Sequence, residues 1–295
     1  MSTIQVGLAD KTKEIDPELM QSVAAALNIQ VNRDLAPIWN VQATVTALPN
    51  ASKIPAGVWP VFLVKSLPPG EGGFHLDKHN QPYAEVIASP ESDEWTIDAS
   101  HETVEMLVDP NGNRLQNSTS ITVKNGKIED SNGEFAYLVE ACDPCEADNF
   151  GYSIQGVAVS DFITPHFYDP EKVAGTRYSF TGAIPRPRDI LPGGYITWVN
   201  QESDEVQQLQ YLTNTPKIIN LGPAAGSGLS LREFVDDAIS KMDEMKKVRG
   251  HEHRHTLNRE LLAYCRAKRE HLGKIAERRA TLYERPMRRT AGSND

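Results

Sequence analysis

The sequence predicts an α+β protein in which two helices interrupt a series of strands. Alternating or continuous apolar residues predict extended segments at 4–8, 39–48, 59–65 and 83–88. The first helix is predicted from about 16 to 34, because Asp16 suits an N-cap and Pro17 the first helical position. The second begins at Trp95, carries an apolar face and stops before Pro110.

The region after Pro110 is predicted to consist mostly of short strands, closed by a hairpin over 195–211. A Gly-rich linker is predicted at 222–229. The segment Ser230-Leu-Arg-Glu233 is a capping box that opens a helix to about Val248, and a second amphipathic helix is predicted from Thr256 to about Tyr283. We therefore expect a domain over 1–221, the linker, a basic helical hairpin over 230–285 and a disordered end over 286–295.

Charge is distributed unevenly along the chain. Residues 231–295 contain 16 Lys/Arg and 11 Asp/Glu, a net charge of +5, whereas residues 1–230 have a net charge of −15. Such an acidic body is a poor candidate for nucleic-acid binding. The basic helices carry apolar residues that must be covered, so we expect them to dock, to self-associate or to bind a protein partner.

Targeting signals and cysteine usage favour a cytoplasmic protein. The N-terminus lacks the pattern of a signal peptide, and no apolar run is long enough to span a membrane. Three cysteines are too few for a disulfide framework and fit a reducing compartment.

The predicted helix from Trp95 contains His101-Glu-Thr-Val-Glu105, an H-E-x-x-E motif. Residues four apart lie on one helix face, so His101 and Glu105 can hold one metal ion together. Glu102 lies close enough to reach a water molecule bound to that ion. The alternative is an ordinary surface helix with a solvated acidic face.

The motif and two downstream segments resemble a group of zincin-like proteins of the metallopeptidase fold. Those segments are Val139-Glu-Ala-Cys-Asp-Pro-Cys145 and Val159-Ser-Asp-Phe162, and the resemblance covers roughly residues 1–215. It implies the order strand, helix, strand, strand, edge strand, metal-binding helix. It also implies that His101 and Glu105 are ligands, that Glu102 is a general base and that Glu140 is the third ligand. Asp143 is then a neighbour of the ligands or the alternative third ligand.

The implied activity is hydrolysis of a peptide or protein substrate by metal-activated water. Zn²⁺ is the expected ion, although two carboxylates and one histidine would also suit Mn²⁺ or Fe²⁺. Tyr152 or His166 would stabilise the oxyanion. The strand that contains Ala84, Glu85 and Val86 would form the rim of the cleft and pair with an extended peptide.

A non-catalytic alternative remains open at this point. The chain would then keep the zincin-like fold and its metal for structure, and use the C-terminal helices for assembly, for example in a virion or another complex. Two further motifs are weaker: Cys142-x-x-Cys145 as half of a zinc site or a redox pair, and His251-Glu-His-Arg-His255 as a metal site. Neither a phosphate loop nor a dinucleotide fingerprint is present in the sequence.

Overall fold

The computed structural model describes residues 3–67, 72–212 and 214–248. Helices and several sheets are combined, so the predicted α+β class is confirmed. Within the described ranges, no helix has the length and apolar character that a membrane span requires.

The first sheet has five strands in the order β2-β1-β3-β5-β4. Four of them are parallel, and β4 alone runs antiparallel, at the edge beside β5. The strands are β1 Ile4–Asp10, β2 Ala43–Ala47, β3 Val58–Val64, β4 Gly73–Lys78 and β5 Gln81–Ile87. The predicted strands near 4–8, 39–48, 59–65 and 83–88 all occur, whereas β4 had no clear apolar alternation to reveal it.

The position of β5 corrects one expectation. Ala84, Glu85 and Val86 lie in β5, which pairs with β3 on one side and with β4 on the other. The backbone of β5 is therefore already used on both sides and cannot pair with an extended peptide. The edge strand on this side of the sheet is β4.

Helix α1 (Pro17–Ile29) covers the sheet where the sequence predicts a helix. The Asp16 side chain accepts hydrogen bonds from the backbone nitrogens of Glu18 and Leu19, as an N-cap should. A π-helical stretch (Gln30–Leu35) and the short helix α2 (Ala36–Trp39) continue α1, so the helical segment extends beyond Asp34.

Helix α3 (Trp95–Val108) carries the H-E-x-x-E motif and lies inside the protein. Nearly every residue of α3 is buried, including His101, Glu102 and Glu105. The alternative of a surface helix with a solvated acidic face is therefore wrong. Buried charges of this kind need partners or a cation.

The second sheet is antiparallel, in the order β12-β11-β10-β7-β6. Its strands are β6 Leu115–Lys124, β7 Lys127–Leu138, β10 Tyr195–Asn200, β11 Glu205–Gln210 and β12 Lys217–Gly222. Strands β8 (Tyr152–Ile154) and β9 (Val157–Val159) form a separate small hairpin. The Asn125-Gly126 turn joins β6 to β7 with positive φ at both residues, as an Asn-Gly hairpin turn requires.

Helix α4 (Leu231–Val248) follows the predicted linker and begins where the capping box places it. Ser230 nitrogen donates to Glu233 Oε2 at 2.8 Å, and Glu233 nitrogen donates to Ser230 Oγ at 3.1 Å. Leu231 and Val235 pack in an apolar cluster with Leu138 and Val206. The first turn of α4 is thus docked on the body, while the predicted helix over 256–283 and the segment 286–295 lie outside the described residues.

Candidate metal centre

Four segments bring a cluster of ionisable side chains together in the interior. Helix α3 supplies three of them, β4 supplies one, the turn after β7 supplies two, and the start of α4 supplies one. All have less than a tenth of their surface exposed: His75, His101, Glu102, Glu105, Glu140, Asp143 and Arg232. Such a concentration of buried charge is typical of a functional site.

Glu105 is fixed by the backbone of the turn after β7. Its Oε1 accepts hydrogen bonds from the nitrogens of Cys142 at 2.9 Å and Asp143 at 3.3 Å. Its Oε2 is thereby directed into the cluster, 3.2 Å from His101 Nε2 and 3.6 Å from His75 Nδ1. Glu105 Oε2 is buried and has no hydrogen-bond partner among the described residues.

His101, Glu105 and Asp143 form a group whose donor atoms converge. His101 Nε2 lies 3.2 Å from Glu105 Oε2 and 3.2 Å from Asp143 Oδ1, and all three donors lie within 4.8 Å of one another. Asp143 Oδ1 likewise has no hydrogen-bond partner within the described ranges. Ligand atoms about 2.0–2.1 Å from a tetrahedral zinc ion lie roughly 3.4 Å apart, so these spacings suit a bound ion.

This group contains Asp143, the alternative third ligand, and not Glu140. The sequence favours Glu140, with Asp143 as the alternative, but Asp143 is the residue that joins His101 and Glu105 in the group. Glu140 Oε2 instead accepts a hydrogen bond from Arg232 Nη1 at 2.9 Å. Glu140 Oε1 is buried and lacks a hydrogen-bond partner in the part of the chain that the structure describes.

His75 was not predicted as a site residue. Its Nε2 lies 3.2 Å from the carbonyl oxygen of Asp109, and its Nδ1 lies 3.3 Å from Glu102 Oε2. His75, Glu102 and Glu105 form a second group of possible ligands that shares Glu105 with the first. The sequence shows a histidine before a predicted strand, but only the register of β4 against β5 indicates that its side chain is buried.

The cluster contains more carboxylates than cations. Arg232 Nη1 lies 3.5 Å from Asp143 Oδ2 and 3.8 Å from Glu105 Oε2, in addition to its bond with Glu140. Burial raises the pKa of Asp143 to about 6, although His101 and Arg232 oppose the shift. Burial also raises the pKa of Glu140 well above its usual range; the charge of Arg232 opposes this shift, and the carboxylates of Glu105 and Asp143 add to it. The carboxyl groups of the cluster therefore resist ionising together.

His101 and Glu105 shift each other's pKa in opposite directions. Burial alone would lower the pKa of His101, but Glu105 and the other acidic neighbours raise it well above its usual range. Burial alone would raise the pKa of Glu105, but the charge of His101 lowers it well below its usual range. The two groups therefore favour a protonated His101 beside an ionised Glu105.

Neither of the two expected oxyanion donors is placed for that role. The Tyr152 hydroxyl is fully buried and donates to Asp34 Oδ2 at 2.8 Å, and that hydrogen bond uses its only proton. His166 is exposed, and its Nδ1 pairs with Asp169 Oδ2 at 2.8 Å. Both expectations are corrected: Tyr152 is a core residue and His166 is a surface residue.

The two cysteines of the C-x-x-C motif are buried free thiols close to the cluster. Burial raises the pKa of both Cys142 and Cys145 well above the usual value, so neither forms a thiolate readily. Cys142 contributes its backbone nitrogen to Glu105, and its Sγ lies 3.8 Å from the His101 carbonyl oxygen. The thiols help to support α3. The His251–His255 motif lies outside the described residues.

Comparison with protein-family models, with curated proteins and with solved structures gives no match for this chain.

Proposed function

We propose that this chain is a zincin-like metalloprotein that hydrolyses peptide bonds, with one divalent cation held by His101, Glu105 and Asp143. The observation that carries the proposal is the convergence of Glu105 Oε2 and Asp143 Oδ1 on His101 Nε2 at 3.2 Å each, with no hydrogen bond to either oxygen from the residues that the structure describes. Buried carboxylate oxygens without donors are costly, and a cation between them removes that cost.

The order of elements supports the zincin-like part of the proposal. The resemblance implies strand, helix, strand, strand, edge strand and metal-binding helix. The chain runs β1, α1, α2, β2, β3, β4, β5, α3 with β4 at the sheet edge, so it follows this order except that β5 lies between the edge strand and the helix. The helix with the motif follows the sheet directly, and the irregular segment after β7 returns to it with Asp143.

Charge balance supports a single divalent ion. The four carboxylates of Glu102, Glu105, Glu140 and Asp143 are opposed by Arg232 and by His75, whose pKa is raised by Glu102 and Glu105 despite its burial. If His101 is neutral, as a metal ligand must be, and if the cation keeps all four carboxylates ionised, two negative charges remain to be balanced. One ion such as Zn²⁺, or Mn²⁺ or Fe²⁺ in this oxygen-rich site, would neutralise them.

The chemistry that a bound cation supplies is polarisation of a carbonyl group and acidification of a water molecule. Glu102 follows His101 on α3 but is absent from the His101 group, so its carboxylate can accept the proton of that water. His75 Nδ1, 3.3 Å from Glu102 Oε2, orients this carboxylate. A peptide or protein substrate would lie along β4, the edge strand from which His75 projects.

A second candidate function is a structural metal site in a non-catalytic protein. Burial favours it: Glu105 is 0% exposed and His101 only 7% exposed. A structural ion needs no access for a substrate, whereas a catalytic ion must keep one position open. The docked first turn of α4 would then belong to an assembly module that includes the residues beyond it.

Metal analysis tests the site itself. We expect about one zinc ion per chain after reconstitution, its loss in His101→Ala, and a weakening of at least about 100-fold in Asp143→Asn. Glu140→Gln, a matched neutralisation of a neighbouring carboxylate, should weaken binding by less than about tenfold, because Glu140 is not a ligand. Wild-type protein that takes up no divalent ion would refute both candidate functions.

Glu102→Gln separates the enzyme from the structural protein. This variant should keep its zinc and its melting temperature and lose peptide hydrolysis, because only the proton acceptor is removed. The measurement compares the cleavage of a peptide library by zinc-loaded wild type with its cleavage by zinc-loaded Glu102→Gln. Equal cleavage by the two proteins would eliminate the peptidase proposal and leave the structural site.

A further inference from the structure

We infer that Arg232 is a positioning residue of the metal centre: it holds Glu140 away from the ion, so that docking of α4 and metal binding compete for one carboxylate. The inference rests on the proposed function, since it assumes a cation at His101, Glu105 and Asp143. It adds a residue outside the predicted 1–221 domain to the centre.

Arg232 is held deep in the cluster. It is 6% exposed, its Nη1 lies 2.9 Å from Glu140 Oε2, and its Nε lies 3.2 Å from Asp236 one turn along α4. A guanidinium group is a strong and permanently charged donor to carboxylates. The acidic partners on both sides fix its position.

Backbone hydrogen bonds to the loop after α3 position the first turn of α4 and, with it, the Arg232 side chain. Leu231 nitrogen donates to Asn113 Oδ1 at 2.8 Å, and Arg232 nitrogen donates to the carbonyl oxygen of Gly112 at 3.0 Å. Gly112 has a φ of +60°, and a Cβ at that position would lie 2.6 Å from Arg232 Cβ. The loop after α3 therefore accepts α4 only because a glycine is present there.

The carboxylate of Glu140 is able to bind the ion when Arg232 is replaced by an uncharged residue. It is buried, and its Oε1 has no hydrogen-bond partner among the described residues. A buried carboxylate that loses its guanidinium partner must be protonated or find another cation. Within this cluster that cation is the metal ion, beside Glu105 and Asp143, to both of which Arg232 Nη1 also lies close.

Removing the Arg232 side chain has two effects, and both increase the affinity for zinc. The repulsion between the guanidinium group and a divalent ion disappears, and Glu140 becomes free to bind the ion. We therefore expect Arg232→Gln to bind zinc about tenfold more tightly or better. By linkage, the factor by which undocking of α4 tightens zinc binding is also the factor by which zinc loosens the docking of α4.

A double-mutant cycle tests whether Arg232 acts through Glu140. Zinc dissociation constants would be measured by chelator competition for wild type, Arg232→Gln, Glu140→Gln and the double variant. We expect tightening in Arg232→Gln and a much smaller change when Arg232→Gln is made in the Glu140→Gln background. Arg232→Lys, which keeps the charge, should remain within about threefold of wild type. Unchanged or weaker zinc binding in Arg232→Gln would overturn the inference.

Hydrogen exchange of the wild-type chain gives a test that does not depend on how the variants fold. Added zinc should speed amide exchange in the first turns of α4, around Arg232 to Asp236, and slow it in α3. Unchanged or slower exchange in α4 with zinc bound would overturn the competition. If wild type binds no zinc at all, the proposed function fails instead, so the two failures are distinguishable.

Discussion

Glu105 Oε1 lies 2.9 Å from the backbone nitrogen of Cys142, which ties α3 to the turn after β7 through one carboxylate. The same hydrogen bond directs Oε2 toward His101 and Asp143. In the proposed metal centre Glu105 would therefore have a structural oxygen, Oε1, and a ligand oxygen, Oε2, and substitutions can separate the two roles.

We predict that Glu105→Gln and Glu105→Ala both lose zinc but differ in stability. The amide oxygen of glutamine can still accept from Cys142, whereas alanine leaves that buried nitrogen and the Asp143 nitrogen unsatisfied. Glu105→Ala should therefore unfold more easily than Glu105→Gln by about 1–3 kcal/mol. Urea unfolding in the presence of EDTA provides the comparison, and equal midpoints would contradict the structural role of Oε1.

The close approach of Gly112 to Arg232 leads to a second prediction. Gly112→Ala should cost more than about 1 kcal/mol and should expose α4 to protease, because the new Cβ meets Arg232 Cβ. Gly156→Ala is the matched control: Gly156 has a φ of +85°, but no atom of the described residues lies within 4 Å of the added Cβ.

The control separates backbone strain from steric exclusion of the helix. Gly156→Ala should show the strain alone, with α4 as protected as in wild type. If the two variants are equally destabilised and equally resistant to cleavage within α4, the contact between Gly112 and Arg232 has no influence on docking.

Local signals in the sequence predicted the helices well. Asp16-Pro17 and the Ser230–Glu233 capping box act through neighbouring backbone groups, so their effect can be read within one turn. The i, i+4 spacing of His101 and Glu105 is local in the same sense. Strands β1, β3 and β5 were visible because buried strands carry continuous or alternating apolar residues.

Partnerships between distant residues could not be predicted in this way. The Tyr152 hydroxyl bonds to Asp34 across 118 positions, and Arg232 reaches Glu140 across 92. Nothing near Tyr152 or Arg232 in the sequence indicates these partners. Asp143 lies beside His101, whereas Glu140 is bonded to Arg232, which belongs to a helix that the sequence assigned to a separate appendage.

The last prediction concerns Asp98, one turn before Glu102 on α3. Burial raises the pKa of Asp98 from 3.8 to about 7, even though His101 acts to lower it. In the unfolded chain the group titrates near 4, so between pH ~4 and ~7 the folded state holds a proton that the unfolded state has lost. Asp98 therefore makes the protein progressively less stable as the pH rises through that window.

Asp98→Asn removes this titration and should stabilise the metal-free protein. Its advantage over wild type should be small near pH 4, grow by at most about 1.4 kcal/mol per pH unit, and become constant above pH ~7. Urea unfolding at pH 4.5, 6 and 7.5 in EDTA measures the difference in unfolding free energy between Asp98→Asn and wild type. Asp77→Asn on the edge strand is the control. A difference between Asp98→Asn and wild type that does not change with pH would show that the Asp98 carboxyl ionises as readily in the folded protein as in the unfolded chain.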